Sequence, residues 1–282
     1  MSPNLNKAKL KKRMIKLLVT VILFAVSSSM IFPFVWMVSS SFKYERDVLE
    51  FPIRLIPKLV NLKNYETVWV KSLFPLYYLN SIVVSFYIVA GQVLLCSTAA
   101  YGFSRLRFKG RDKIFLLYIA TMMIPPQVTL LPRFILFRYL GIIDTHAALI
   151  LPGIFSVFGV FLLRQYFLTI PFDLTEAAVI DGAGHTRIFW QIMLPLARAS
   201  IVTLVVLAFT WTWNDYQNPL IFITNLRKLT LTVGLQRFQE EYATNYAVIM
   251  AGATTALVPI IIVFLMAQRY FIESFASVGI KG

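Results

Sequence analysis

The sequence predicts an all-α integral membrane protein that has six transmembrane helices and keeps both termini in the cytoplasm. Three observations support this prediction: the composition, the length of the apolar runs and the placement of the basic residues. Of the 282 residues, 58% are hydrophobic and only 14% are charged. A soluble domain of this length exposes far more charge, so the composition is typical of a chain that crosses a membrane several times.

Six apolar segments are long enough to cross a bilayer, which takes roughly 20 mostly apolar residues in a helix. They lie at about residues 15–38, 77–104, 114–136, 147–168, 197–222 and 246–270. Basic residues precede the first segment, as in a signal peptide. However, its uncharged run from Leu17 to Phe42 exceeds the roughly 7–15 residues of a secretory apolar core. We therefore expect a cytoplasmic segment over residues 1–14 and one transmembrane domain over residues 15–282.

The basic residues predict the orientation of these segments. Lysine and arginine are concentrated before the first segment, between the second and third, beside the loop between the fourth and fifth, and after the sixth. The alternate loops mix basic with acidic residues. Because cytoplasmic loops carry the excess of lysine and arginine, the loops at residues 105–113 and 169–196 are expected in the cytoplasm with both termini. The net charge of +14 then follows from membrane topology, and no nucleic-acid partner is expected.

Prolines predict a break in the third segment, at Pro125, Pro126 and Pro132. Since backbone that faces lipid must keep its hydrogen bonds, such a break is expected to face protein or a cavity. Both a structural kink and a gating bend fit this pattern. The outer loop at residues 43–75 is expected to be ordered and to contain one short surface helix.

Cysteine and histidine usage excludes two kinds of site. Cys96 is the single cysteine and lies in an apolar run, so it cannot form an internal disulfide. His146 and His185 are too few and too far apart for a metal site. The chain also lacks the Walker A pattern G-x-x-x-x-G-K-[ST], so ATP is not expected to bind it through a P-loop.

Residues 171–195 interrupt the apolar sequence with a polar, small-residue stretch that reads EAAVIDGAGHTRIFWQIMLP from residue 176. Asp173 followed by Glu176 predicts a helix N-cap with an acidic partner. Gly182 and a second glycine beyond it would end this short helix, and an apolar face over residues 185–193 predicts a second helix. The stretch therefore predicts a helix–turn–helix whose small residues allow another protein to come close. An amphipathic hairpin on the membrane surface is the alternative, although basic residues usually dominate such helices.

This stretch resembles the EAA loop of ABC importer permeases, in which Glu-Ala-Ala precedes a glycine and then an Ile-x-Leu-Pro ending. The longer form E-A-A-x-I-D-G-A is similar to the carbohydrate branch of that family, and within it to the smaller permease of maltose-type systems. The resemblance covers nearly the whole chain. Further matching stretches are LNSIVVS (79–85), AAYGFSRLRFKGRDK (99–113), WTWNDYQNPLIF (211–222) and VGIKG (278–282).

The resemblance implies a permease of the type I ABC importer fold in a bacterial inner membrane. Its EAA loop would be a coupling helix that docks on a separate ATPase, a role carried onto Glu176, Ala177, Ala178, Asp181 and Gly182. The implied partners are a dimer of P-loop ATPase subunits that use ATP and Mg, a second and usually different permease, and an extracytoplasmic solute-binding protein. The implied substrate is a sugar or oligosaccharide, and no cofactor is expected on this chain. The closing tail would make a second contact with the ATPase.

Polar and aromatic residues in the apolar segments are candidates for the substrate pathway. An acid within a span usually faces the bundle interior or an aqueous cavity, and flat rings beside amides suit sugars. The candidates are Asn80, Gln127, Trp211, Trp213, Asn214, Asp215, Tyr216 and Gln217. For the rings, an aromatic belt at the membrane interface is the alternative. For the amides, with Gln92, the alternative is an interhelical hydrogen bond.

Two other functions remain open from the sequence. An ion-coupled secondary carrier needs buried carboxylates or a helix break with ion ligands, for which Asp215 and the Pro125–Pro126 pair qualify. An ABC permease for a non-sugar solute, such as a glycerol phosphodiester, also fits, since related permeases carry such solutes. An integral-membrane enzyme would need clustered acids or histidines near one membrane face, whereas capping and docking account for the acids of the EAA loop.

Overall fold

The computed structural model describes the backbone of residues 3–279 and the side chains of residues 12–270. Within that range the chain is largely helical and contains no strand, in agreement with the predicted all-α class. The last residues of the closing VGIKG stretch lie outside the described residues, and with them the expected contact of the tail. The chain forms two compact units: residues 1–72 with 239–255, and residues 73–238 with 256–282.

The first unit consists of one long apolar helix and the short elements that follow it. Its helices are α1 (Pro3–Ser41), α2 (Glu45–Val48), α3 (Lys63–Val70) and the beginning of α15 (Tyr246–Gly279). Along the most apolar stretch of α1, 0% of the residues are buried inside the chain. A helix that exposes apolar side chains on all sides requires lipid or another protein around it.

Side chains that bond to backbone fix the segment after α1. Asn64 donates from Nδ2 to the carbonyls of Ser41 and Lys43, both at 2.8 Å. The Glu45 carboxylate accepts the amide of Ala247 at 2.8 Å and so caps α15. The prediction of one short helix in this loop is wrong, because both α2 and α3 form. Acidic residues in the first turn of each helix stabilise its positive N-terminus.

The second unit contains the other helices and the remainder of α15. They are α4 (Phe74–Arg105), α5 (Arg111–Ala120), α6 (Pro126–Tyr139), α7 (Ala147–Gly153), α8 (Val157–Thr169), α9 (Asp173–Ile180), α10 (His185–Ile188), α11 (Leu194–Leu196), α12 (Arg198–Trp213), α13 (Gln217–Phe222) and most of α14 (Leu231–Glu241). α4 packs against both α8 and α12. Gly159 allows the close approach of α8 to α4, because a Cβ there would lie 2.8 Å from the Sγ atom of Cys96.

Among the described residues, four helical stretches are long and apolar enough to cross a membrane, or six segments if each bent helix pair is one crossing. The four are Lys12–Ser41, Phe74–Arg105, Ala147–Thr169, which comprises α7 and α8, and Tyr246–Tyr270. The bent pairs are Arg111–Met123 with Pro126–Tyr139, and His185–Leu196 with Arg198–Trp213. The six predicted segments therefore all correspond to apolar helices, and the third, fourth and fifth are interrupted.

The third segment is broken where its prolines predict a break. α5 and a 3-10 turn end at Met123, and α6 starts at Pro126 after a bend of 94°. Ile124 and Pro125 each precede a proline and have extended ψ angles of 115° and 132°, since proline disfavours helical backbone in the residue before it. Pro132, by contrast, lies inside α6.

The fifth segment is not the continuous helix that was predicted over residues 197–222. α12 ends at Trp213 and α13 begins at Gln217. Between them, the Asp215 carboxylate accepts the backbone amide of Asn218 at 3.2 Å. Such a local side-chain bond offers the backbone an alternative to the helix, which is the physical reason for the interruption.

Candidate functional site

The EAA hairpin, defined as residues 171–195, forms the predicted helix–turn–helix. α9 is followed by a tight turn and by α10. The second arm is not a plain α-helix, because Phe189–Met193 form a π-helical turn between α10 and α11. Such turns are rare and often occur at functional sites. The inner face of this arm is buried, with Ile188 and Met193 fully covered, so the hairpin is packed onto the apolar core of the second unit.

The first arm of the hairpin begins at a different N-cap from the predicted one. Phe172 occupies the N-cap with helical backbone, φ −70° and ψ −27°. Its carbonyl accepts the amides of Thr175 at 2.8 Å and Glu176 at 3.1 Å. Asp173 is the first helical residue, and no side chain caps the helix. The predicted capping box is therefore wrong, because the helical hydrogen bonds begin at the Phe172 carbonyl, one residue before the predicted N-cap.

Gly182 makes the turn of the hairpin. Its φ of +80° lies in the left-handed region, where glycine carries no steric penalty. The Gly182 amide donates to the carbonyl of Val179 at 3.0 Å, and the Ala183 amide to that of Ala178 at 2.9 Å. A Cβ on Gly182 would meet no atom within 4 Å. The backbone angle, and not lack of space, thus selects glycine at this end of α9.

The tip of the hairpin presents acids and apolar groups side by side. Glu176, Ala177 and Asp181 are exposed, and neither acid has a side-chain partner among the described residues. Ala178 differs from the other predicted residues, because it is only 9% exposed and packs into the core. Sequence reasoning missed Ile180, which is 85% exposed; its signal was an apolar residue directly before the turn. Exposed apolar groups bordered by polar ones mark interaction surfaces.

Two arginines at and just after the end of α4 contact the base of the hairpin. Arg105 donates from Nη2 to the carbonyls of Phe167 at 2.6 Å and Ile170 at 2.7 Å. Its guanidinium carbon lies 5.5 Å from the centre of the Phe172 ring, and that of Arg107 lies 5.3 Å from the same ring. These ring contacts are of cation–π type. The carbonyl bonds of Arg105 attach the segment that leads from α8 into the hairpin to α4.

α4 also contacts the second arm of the hairpin. The hydroxyl of Tyr101 lies 3.0 Å from Nδ1 of His185, and its ring centre lies 5.4 Å from that of Phe189. A groove of about 800 Å³ runs between the end of α4 and α9, and Arg107 and Glu176 both line it. The hairpin thus has a fixed base, an open groove and an exposed tip.

At the far end of α12, the acid within the predicted span is partnered. Asp215 accepts the side-chain amide of Asn218 at 2.8 Å, and Asn218 Oδ1 accepts from Arg133 at 2.7 Å. The Arg133 guanidinium also lies 5.1 Å from the ring centre of Phe222. Sequence reasoning missed Arg133, although an isolated arginine in an apolar segment was a usable signal.

The two tryptophans among the pathway candidates differ in exposure. Trp213 is 3% exposed and donates from Nε1 to the carbonyl of Ala256 at 3.1 Å, so its ring belongs to the core. Trp211 is 53% exposed and stacks edge-on against Phe158 at 5.5 Å. Asn214 is exposed, and its amide donates back to the helix carbonyl of Thr210 at 2.8 Å.

The remaining candidates also divide into bonded and exposed side chains. Asn80 donates from Nδ2 to the carbonyls of Arg227 and Leu229, both at 2.9 Å. Gln92 donates to the carbonyl of Gly153 at 2.7 Å. The Gln92 contact joins α4 to α7 and is the interhelical hydrogen bond that the alternative interpretation predicts, whereas Asn80 bonds to the segment between α13 and α14.

Tyr216 donates from its hydroxyl to the side chain of Gln236. Gln127 and Gln217 are exposed. Together with Trp211, these residues leave rings and amides accessible at the breaks in the third and fifth segments.

Asp144 is a further acid that sequence reasoning missed. It has a φ of +60° and lies in the turn between α6 and α7. Its carboxylate accepts the amides of Thr224 at 2.9 Å and Asn225 at 2.8 Å, and Lys228 lies 3.4 Å away. These donors, the Asn225 amide first, hold the pKa of Asp144 below its ordinary value.

Comparison with known proteins gives one consistent result. The chain matches the family described as binding-protein-dependent transport system inner membrane component over residues 92–276. It is 34% identical to the arabinooligosaccharides transport system permease protein AraQ of Halalkalibacterium halodurans, over 89% of this chain and 91% of the relative. It is 33% identical to the sn-glycerol-3-phosphate transport system permease protein UgpE of Salmonella typhimurium, over 81% and 84%.

A solved structure with a similar fold is the crystal structure of a bacterial ABC transporter involved in the import of the acidic polysaccharide alginate. The TM-score is 0.84 and the identity 25%, over 93% of this chain and 98% of that chain. Over 93% of the chain, and not only at the hairpin, the fold is therefore that of an ABC importer permease.

Proposed function

Because the chain belongs to the family of binding-protein-dependent transport system inner membrane components, we propose that it forms half of the translocation pathway for a sugar or oligosaccharide. It is a permease subunit of an ABC importer and not an enzyme, since ATP hydrolysis belongs to a separate subunit. We place it in the bacterial inner membrane as a multi-pass subunit over residues 15–282, with residues 1–14, the EAA hairpin and both termini in the cytoplasm.

The EAA hairpin is the site at which this chain docks on its ATPase. The observation that carries this proposal is the contrast between the fixed base of the hairpin and its exposed tip. Glu176, Asp181 and Ile180 offer charge and apolar surface without side-chain partners of their own in the described chain. Ala177 and Gly182 add no bulk at the contact, while Ala178 supports α9 from behind.

The partners follow from the same assignment. A dimer of P-loop ATPases binds ATP and Mg, and this chain holds no cofactor of its own. A second permease, a different chain, completes the pathway, and an extracytoplasmic binding protein delivers the solute. Closure of the ATPases on ATP moves the docked hairpin as a rigid body, and rotation of the permease halves changes the side on which the pathway is open.

Exposed side chains at the helix breaks support a sugar as the solute. Trp211 presents a ring, and Asn214, Gln217 and Gln127 present amides, which together match the C–H faces and hydroxyls of a sugar. Trp213 is excluded from this set by its burial. The names of two similar proteins, for arabinooligosaccharides and for alginate, agree with this class of solute.

A non-sugar, anionic solute such as a glycerol phosphodiester is the second candidate. Arg133 favours it, because a guanidinium in an apolar segment binds phosphate well. The similarity to a permease named for sn-glycerol-3-phosphate points the same way. However, Arg133 is already bonded to Asn218 and balanced by Asp215, which leaves the sugar as the better-supported solute.

Co-purification from gently solubilised native membranes tests the docking. A tagged chain should bring down a P-loop ATPase and a second multispanning protein. The variant Glu176→Lys/Gly182→Asp should still insert but lose the ATPase and ATP-dependent uptake, because it reverses one charge and adds another at the tip.

The matched control is Glu66→Lys/Gly141→Asp. Gly141 also has a positive φ, +68°, and open space around a Cβ, and Glu66 is an exposed acid on α3. This control should retain the ATPase. If the hairpin variant retained both ATPase and uptake, the docking site would have to lie elsewhere.

A further inference from the structure

Arg105 occupies an unusual place for an arginine at a helix end. It is the last residue of α4, yet it is only 4% exposed. Its two short hydrogen bonds go to carbonyls at the C-terminal end of α8, at 2.6 and 2.7 Å. The last carbonyls of a helix have no partner within the helix, and a cation there is also favoured by the helix dipole. Arg105 thus joins the ends of α4 and α8.

The same side chain reaches the first arm of the hairpin. Its guanidinium lies over the ring of Phe172, and the Phe172 carbonyl accepts the first amide bonds of α9. Three helices, α4, α8 and α9, therefore meet at one buried charge. Hydrogen bonds from a charged donor are about twice as strong as neutral ones.

Tyr101 extends this contact to the second arm. It lies one helical turn before Arg105 on α4, so both side chains lie on the same helix face. Its hydroxyl meets His185, and its ring meets Phe189 at the start of the π-helical turn. The last turn of α4 therefore contacts both arms of the EAA hairpin: Arg105 contacts the first arm and Tyr101 contacts the second.

We propose that Arg105 is the positioning residue that transmits displacement of the EAA hairpin to α4 and α8. The proposal rests on the docking function given above. Without the guanidinium, the buried carbonyl of Ile170 loses its charged donor and that of Phe167 keeps only the Ile170 amide, at 3.3 Å. The hairpin would then still dock and follow the ATPase, and it would keep the contacts of Tyr101 and its apolar packing, but its movement would be transmitted less completely to α4 and α8.

Arg107 offers a matched control two residues away. It contacts the same Phe172 ring at a similar distance, but it has no carbonyl bond in the described part of the chain and its side chain is exposed. Arg107→Met removes a cation and its contact with the Phe172 ring but leaves the carbonyl bonds of Arg105 in place. Arg105→Met also removes a cation and a ring contact, and in addition it removes the two carbonyl bonds. Arg105→Lys keeps the charge and can restore a carbonyl bond.

The experiment measures phosphate release by the complete transporter in proteoliposomes, with MgATP, in the presence and absence of its solute-binding protein. In the parent complex the binding protein should stimulate hydrolysis. Arg105→Met should retain basal hydrolysis but lose at least about fivefold of the stimulation, the lower end of typical coupling between two sites. Arg107→Met should be stimulated like the parent, and Arg105→Lys should recover part of the effect.

Each alternative result has its own meaning. Stimulation of Arg105→Met equal to that of the parent would overturn the positioning role. A proportional fall in basal and stimulated rates, or failure of both Arg105 variants to assemble, would show a role in folding only and would also overturn it. If the parent chain brought down no ATPase, the proposed function itself would be contradicted. That outcome is distinct from a loss of stimulation in Arg105→Met alone.

Discussion

The two ends of α12 differ in how their acidic side chains are partnered. At the EAA hairpin, Glu176 and Asp181 have no side-chain partner among the described residues. At the other end, Asp215 is bonded to Asn218 and through it to Arg133. A solvated acid needs no partner, whereas a polar group near the apolar interior is costly unless it is hydrogen-bonded. Asp215 thus joins separate helices of the chain, whereas the acids of the EAA hairpin are exposed, as the proposed docking role requires.

The largest effect is expected for a variant that disrupts the hydrogen-bond network of Asp215 at the far end of α12. Arg133→Met leaves the Asp215–Asn218 pair without its cation, and loss of a hydrogen bond to a charged group costs roughly 1.5–3 kcal/mol. Thermal unfolding of the purified chain in detergent should show this loss. Arg138→Met, an exposed arginine on the same helix, should change stability little. Equal shifts for the two variants would mean that Arg133 is not part of a stabilising network.

The variant Ile180→Asp tests the EAA hairpin, where the acids have no side-chain partner among the described residues. Because Ile180 is already 85% exposed, the substitution should leave the unfolding temperature unchanged. It should weaken binding of the purified ATPase to the chain in nanodiscs by roughly 30-fold, the effect of about 2 kcal/mol that defines an interface hot spot. Ile56 is 84% exposed on the loop between α2 and α3, so Ile56→Asp is the control. Unchanged ATPase affinity for Ile180→Asp would remove the apolar part of the docking surface.

A smaller effect is expected for Asp144→Asn, and it should depend on pH. Bonded amides lower the folded-state pKa of Asp144, so the ionised carboxylate stabilises the fold above its ordinary pKa of about 3.9. That contribution is lost as the pH falls through the lower pKa of the folded state. Unfolding temperatures measured between about pH 3 and pH 7 should separate parent and variant by about 1 kcal/mol at neutral pH.

At the acidic end of this range the two curves should converge. Asparagine tolerates the positive φ at this position, so backbone strain should not contribute to the difference in stability between parent and variant. A constant gap between parent and Asp144→Asn at every pH would contradict the electrostatic explanation.

The smallest expected effect concerns the turn of the hairpin. Gly182→Ala meets no atom within 4 Å, so its cost is the left-handed backbone alone, about 1 kcal/mol. Gly184 has a φ of −73° and equally open surroundings but is the N-cap of α10, where alanine is somewhat less favourable than glycine, so Gly184→Ala should cost less than Gly182→Ala. Chemical denaturation of the two variants makes the comparison. A loss for Gly184→Ala as large as that for Gly182→Ala would show that contact, and not φ, matters at this turn.

Much of this architecture was predictable because it depends on local rules. The proline pair at Pro125–Pro126 breaks the third segment whatever surrounds it, and Gly182 permits a left-handed turn in any context. The interruption of the fifth segment was not predicted, because it depends on the bond between the Asp215 carboxylate and the Asn218 amide. Apolar composition alone gave no sign of it.

The candidate sites were predicted less evenly. The EAA motif located the helix–turn–helix hairpin, yet it could not separate exposed Ala177 from buried Ala178, since helix phase is fixed by packing on the core. Trp213 likewise looked like Trp211 in sequence, but its indole is bonded to the carbonyl of Ala256. Burial of one ring and exposure of the other follow from tertiary contacts alone.

The sequence by itself determined the apolar helices, the break at Pro125–Pro126 and the glycine turn, because each rests on interactions between residues a few positions apart. Only the tertiary structure decided which charges hold the chain together. Arg105 meets acceptors 62 and 65 residues away, and Arg133 meets Asn218 at a separation of 85 residues. Partners so distant are chosen by helix packing, since a buried charge must be placed opposite a group that satisfies it.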